Sequence, residues 1–173
     1  MHPEESRRRI ATGRLTHRLL PTSYLFTAES FENHLPVQVL LNDPQRECVV
    51  LYPGRHAVDI AQTPPTTPSN KTRTVFVLDG TWRNAKKMLR LSPRLSELQQ
   101  ICFTPPRLST FRIRKQPRPD CFSTLEAVHY MLGYFEPGLT ERSHLIEMFD
   151  LMVERQIQYD AKARVARMKA PKP

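Results

Sequence analysis

The chain predicts a single α/β domain built on a mostly parallel sheet flanked by helices, and three observations lead there. An apolar, β-branched run at Val75 to Leu78 reads as a strand buried on both faces, as parallel strands are. Asp79-Gly80 ends that run and an amphipathic stretch follows, so a strand passes directly into a helix. Leu98 to Phe103 then reads as the next strand, closed by Pro105-Pro106, which completes a strand, helix, strand unit.

Each element has its own signal. Pro36 to Leu41 and Glu47 to Tyr52 are two β-rich runs separated by Asn42-Asp43-Pro44, and they predict successive strands. Ile60 to Lys71 carries Pro64, Pro65 and Pro68 among Thr, Ser and Asn, which predicts a surface loop. Arg73 to Leu78 is the buried strand. The helix after it spans about Thr81 to Leu91, with Trp82, Ala85 and Leu89 on one face and Arg83, Lys86, Lys87 and Arg90 on the other. On that spacing Trp82 belongs to the core. Ser123-Thr124-Leu125-Glu126 opens a further helix as a capping box, and Gly138 closes the segment. Thr140 to about Arg164 is a long amphipathic helix striped by Leu145, Ile146, Phe149, Met152, Val153 and Ile157. Lys162 to Pro173 holds five basic and no acidic residues and is expected to fray. The domain is therefore residues 1–164, with a basic tail at 165–173.

At 173 residues one core is expected, and 39% hydrophobic with 25% charged residues is a globular composition. The apolar runs are too short to span a bilayer, which excludes a membrane partner of that kind. No signal-peptide pattern opens the chain, so a cytoplasmic protein is expected. Cys48, Cys102 and Cys121 are odd in number and far apart, which fits reduced, buried thiols and neither a disulfide framework nor a metal clip. A monomer is preferred slightly over a homodimer, because the long C-terminal helix leaves no apolar stripe over.

The charge is segregated. The net charge is +9, and two acid-free runs carry much of it: Arg83, Lys86, Lys87, Arg90 and Arg94, then Arg107, Arg112, Arg114, Lys115 and Arg118. A single run is ordinarily a solvated face, but two flanking one strand point to a polyanion such as RNA or DNA, whose phosphates Lys and Arg neutralise. Aromatics are few around these runs, with Phe103, Phe111 and Phe122 the main candidates for stacking, so a single-strand platform is not indicated.

Asp79 stands at the end of a buried strand, before a glycine and a helix start, where α/β sheets bind ligands. It reads equally well as a helix cap. Its motif, Asp79-Gly80-Thr81-Trp82, resembles the D-x-T-W signature of the DTW-domain proteins, the tRNA-uridine aminocarboxypropyltransferases. Further blocks are similar to the family's and keep its order: His2-Pro3-Glu4-Glu5, Thr12-Gly13-Arg14-Leu15, Leu51-Tyr52-Pro53-Gly54, Arg114-Lys115-Gln116-Pro117 and Ser123-Thr124-Leu125-Glu126-Ala127. Many family members begin with a cysteine cluster resembling a zinc site. This sequence starts after where that cluster would lie, and no metal is expected in it.

The resemblance implies a SPOUT-like fold, knotted or not, and transfer of the 3-amino-3-carboxypropyl group of S-adenosylmethionine to N3 of a tRNA uridine, making acp3U. For that reaction N3 of neutral uridine must lose its proton as it attacks, a positioned carboxylate is a sensible general base, and Asp79 is the candidate. Leu51, Tyr52, Pro53, Gly54, Leu78, Gly80, Thr81, Trp82, Ser123, Thr124 and Glu126 would hold the cofactor, the two glycines by letting backbone approach it. Arg14, Arg83, Lys86, Lys87, Arg112, Arg114 and Lys115 would hold tRNA, with Arg14 also a candidate partner for the cofactor's carboxylate. Two rivals stay open at this level: a non-catalytic RNA-binding module in which Asp79 only caps a helix, and an RNA methyltransferase using the same cofactor.

Overall fold

The structure is a computed structural model that describes residues 1–63, 70–114, 121–139 and 142–169, with side chains through Arg164. Its elements in chain order are α1 (Pro3–Ser6), α2 (Thr12–Leu19), α3 (Leu35–Asn42), β1 (Arg46–Leu51), β2 (Val58–Asp59), β3 (Thr72–Val77), α4 (Trp82–Arg90), α5 (Pro93–Ser96), β4 (Gln99–Cys102), α6 (Thr124–Phe135) and α7 (Ser143–Lys169). The four strands form one all-parallel sheet in the order β2-β4-β1-β3.

Parallel strands need cover on both faces, and the sequence of β1 supplies it. Val49 and Val50 are adjacent, point to opposite sides, and are both buried. Val49 joins a core with Ile101, Leu125, Val128, Phe149 and Val153, which come from β4, α6 and α7. Val50 joins a second core with Val37, Ala85, Met88, Leu89 and Leu95, from α3, α4 and α5. The sheet is thus the middle of three layers. Removing one of the large fully buried side chains, Met88 or Phe149, would cost about 2–5 kcal/mol.

Register fixes the site. Leu51 of β1 is level with Val77 of β3 and with Ile101 of β4. The residues that leave these three strands, Tyr52-Pro53, Leu78-Asp79-Gly80 and Cys102-Phe103, therefore emerge side by side at the carboxyl edge of the sheet, where such sheets bind ligands.

Three expectations need correction. Pro36 to Leu41 is not a strand but lies in α3, with Pro36 in the first helical turn where its missing N–H is harmless. Val37 is buried and Leu41 packs inward, while Val39 between them is 66% exposed, so the burial period is four and not two. Second, α7 continues to Lys169, past Arg164, so much of the basic segment from Lys162 is helical and not frayed. Third, α7 leaves Met148, Leu151 and Ile157 exposed, so an apolar remainder does exist on it. The Pro-rich stretch 64–69, Thr140 and residues 170–173 lie outside the described residues.

Candidate active site at the carboxyl edge of the sheet

Asp79 follows β3 directly and is only 6% exposed. It does not cap α4. The cap is Thr81, whose hydroxyl accepts the Asn84 N–H at 3.2 Å, so the motif divides its labour between a free carboxylate and a capping threonine. Oδ1 of Asp79 accepts the Thr124 hydroxyl at 2.6 Å, whereas the buried Oδ2 has no hydrogen-bond partner among the described residues. Burial pushes the carboxyl pKa above its ordinary value, and the Thr124 hydrogen bond only partly opposes this.

Backbone holds this carboxylate from two sides. The Asp79 carbonyl accepts the His2 N–H at 2.8 Å, and the buried His2 is held in turn by the Asn84 amide, 3.3 Å from Nδ1. Gly13 covers Oδ2: a Cβ there would stand 2.5 Å from that oxygen. Gly80 serves the same packing, since a Cβ on it would meet Asn84 and His2 at 3.3–3.4 Å. Its small size thus admits the His2 layer, while Gly80 also stands on the cleft wall.

Beside this corner lies a cleft of about 220 Å³. Leu51, Tyr52, Pro53, Leu78, Gly80, Trp82 and Thr124 line it, which brings together seven of the eleven expected cofactor residues. Gly54, Thr81, Ser123 and Glu126 do not. Gly54 sits against the side chain of Gln100, Thr81 is spent on capping, and Ser123 with Glu126 forms a complete capping box. Glu126 is 2% exposed and also accepts from the Ser109 hydroxyl and the Thr110 N–H, so it anchors the loop before α6.

Trp82 is not core. It is 43% exposed, its Nε1 donates to the Cys121 sulfur at 3.2 Å, and its ring meets Tyr52 edge-on at 6.2 Å between centroids. The apolar face of α4 is instead Ala85, Met88 and Leu89. Sequence reasoning missed Cys102, Phe103 and Phe122 as cleft walls, along with Gly13. Extending the strand-end argument from β3 to β4 would have found Cys102 and Phe103.

The basic residues separate into two groups. Arg83, Lys86 and Arg90 are exposed on α4, and with Lys87, Asn84, Glu4 and His2 they line a shallow depression of about 420 Å³. Lys87 also pairs with Glu29 at 2.6 Å. Arg112 is exposed. Arg14, by contrast, donates to the carbonyls of Ser6, Arg8 and Arg9, and Arg114 makes a two-pronged pair with the buried Glu5, which Arg8 joins at 3.1 Å. Both hold the N-terminal segment. Lys115 lies outside the described residues. Cys48, Cys102 and Cys121 are free thiols, but only Cys121 is buried as expected and the other two are half-buried; among the described residues no cluster of three or more His, Cys, Asp or Glu could hold a metal ion, and no helix is long and apolar enough to cross a membrane.

The molecule is a three-layer α/β sandwich with a buried carboxylate and an aromatic cleft at the carboxyl edge of a parallel sheet. The DTW domain model matches residues 1–157, and the chain belongs to the DTW-domain family. Among curated relatives it is 28% identical over 165 residues to tRNA-uridine aminocarboxypropyltransferase 2 of Drosophila melanogaster, covering 92% of this chain and 64% of that protein. It is 25% identical over 177 residues to the Mus musculus protein of the same name, covering 96% of this chain and 56% of the relative. The chain thus spans less than two thirds of the length of these relatives. No solved structure matches it.

Proposed function

We propose that this chain transfers the 3-amino-3-carboxypropyl group of S-adenosylmethionine to N3 of a uridine in tRNA, giving acp3U. The observation that carries the reading is a buried, incompletely partnered DTW carboxylate next to an aromatic cleft of suitable chemistry. The names of the relatives support the same activity.

The residues present fit the donor. Tyr52, Trp82 and Phe103 offer π-faces to an adenine ring, and the first turn of α6, whose Thr124 and Ala127 line the cleft, offers the positive end of a helix to a carboxylate. When bound, S-adenosylmethionine supplies a sulfonium with three activated carbons, and orientation decides which of them meets N3. Neutral N3 carries a proton and is a poor nucleophile. Asp79 supplies the basicity that draws it off, and the upward push on its pKa makes it a stronger proton acceptor than a solvated aspartate. Arg83, Lys86, Lys87 and Arg90 would meet the phosphates of tRNA. The reading extends to the fold: an all-parallel sheet covered on both faces is compatible with a SPOUT-like arrangement.

The test is nucleoside mass spectrometry of unmodified tRNA incubated with the protein and S-adenosylmethionine. Formation of acp3U is the expected result. A methylated uridine in its place, or donor binding with no modified nucleoside, would overturn the reading.

A further inference from the structure

Asp79 does not line the cleft. Oδ2 is buried against Gly13 without a hydrogen-bond partner among the described residues, and Oδ1 is occupied by the Thr124 hydroxyl at 2.6 Å. Thr124, in contrast, is half-buried and lines the cleft. A hydroxyl has one proton to donate and two lone pairs with which to accept. The single proton of Thr124 is committed to Asp79, so a substrate group that reaches this oxygen meets an acceptor.

We propose that Thr124 is the catalytic residue that meets the substrate N–H, and that Asp79 is a positioning and proton-storing residue that acts through it. This rests on the reading given under Proposed function. As N3 attacks, its proton passes to Thr124 Oγ1 while the threonine proton passes to Asp79 Oδ1. The N3 electron pair forms the new N–C bond, and the pair of the broken carbon–sulfur bond remains on sulfur, which ends neutral. Asp79 ends protonated, so charge balances. The arrangement also selects the base. Uridine presents an N–H at N3, which an acceptor-only hydroxyl welcomes, whereas cytidine presents a lone pair there, which it repels.

Three kinds of residue surround this pair. Gly13 of α2 closes the back of Asp79, Ser123 and Glu126 fix the first turn of α6 that carries Thr124, and the His2 N–H holds the Asp79 carbonyl. Among the described residues, Glu5 of α1 raises the pKa of Asp79 electrostatically, while Arg114 of the loop before α6 and the Met1 amino group lower it.

The experiment measures single-turnover acp3U formation against pH for the wild type, Thr124→Ser, Thr124→Ala and Thr124→Val, each checked for a cooperative thermal transition. Thr124→Ser is expected to stay within about tenfold of wild type, while Ala and Val fall by about a hundredfold or more at every pH, the usual worth of a positioned acid–base group. Valine keeps the shape of threonine, so a loss shared by both variants is not a packing effect. If Asp79 instead reached the substrate directly, losing the Thr124 hydrogen bond would raise its pKa, and the variants would recover wild-type rates once the pH passed the new midpoint. Such recovery overturns the relay and leaves the function standing. A wild type that binds donor and tRNA but forms no acp3U overturns both.

Discussion

Two buried carboxylates meet the first turn of α6, and they have opposite surroundings. Glu126 accepts from the Ser123 N–H, the Thr110 N–H and the Ser109 hydroxyl, so its oxygens are occupied on both sides. Asp79, reached through Thr124 of the same turn, has among the described residues one partner on Oδ1 and none on Oδ2. A complete set of partners makes an acid a structural anchor. An incomplete set, kept dry by Gly13, leaves it with affinity for a proton, which costs stability and supplies chemistry.

The sharpest way to break this contrast is Asp79→Asn. It should lower acp3U formation by about 10² to 10⁴-fold, measured under single turnover, because the group that takes the proton is gone. The same variant should be more thermally stable than wild type at neutral pH. The sign follows from linkage: a carboxyl whose pKa is raised on folding binds its proton more tightly in the native state. The charged form therefore lowers stability as pH rises from the ordinary value of 3.8 through the raised one. The advantage of Asp79→Asn should vanish below the lower limit of that window, and an advantage that persisted there would contradict the assignment.

Glu126→Ala should act mainly on stability, losing about 2 kcal/mol in denaturant unfolding because it strands buried donors, while activity per folded molecule falls far less than in Asp79→Asn. Arg114→Ala should cost about 1–2 kcal/mol by leaving Glu5 with Arg8 alone, and any loss of tRNA affinity should disappear once folded fractions are matched. Smallest is Arg83→Ala with Lys86→Ala, which should leave stability within about 0.5 kcal/mol and reduce the salt slope of tRNA binding by about 1 to 2. An unchanged slope would remove the α4 face from the interface.

The sequence made the alternation of strand and helix around Asp79 legible, because a continuous apolar run and an amphipathic stretch differ in period. It also gave the Ser123 to Glu126 cap, whose signature is local. What it could not show is pairing across the chain. Arg83 and Arg114 both lie in acid-free runs, yet Glu5, 109 residues away, claims Arg114 and no described ion pair claims Arg83. Trp82 shows the same limit: helical spacing assigns it to the core, but the exit of β1 beside α4 opens a cleft there, and Tyr52 and Cys121 fix its ring. Pro36 to Leu41 was ambiguous for another reason, since a short apolar run fits either period until the cores on each side of the sheet choose one.

The most direct test of the contrast between the two acids is a side-by-side assay of acp3U formation by wild type, Asp79→Asn and Glu126→Ala at a temperature where all three are folded. The account predicts product from the wild type and from Glu126→Ala, and almost none from Asp79→Asn. Product from Asp79→Asn at the wild-type rate would contradict it.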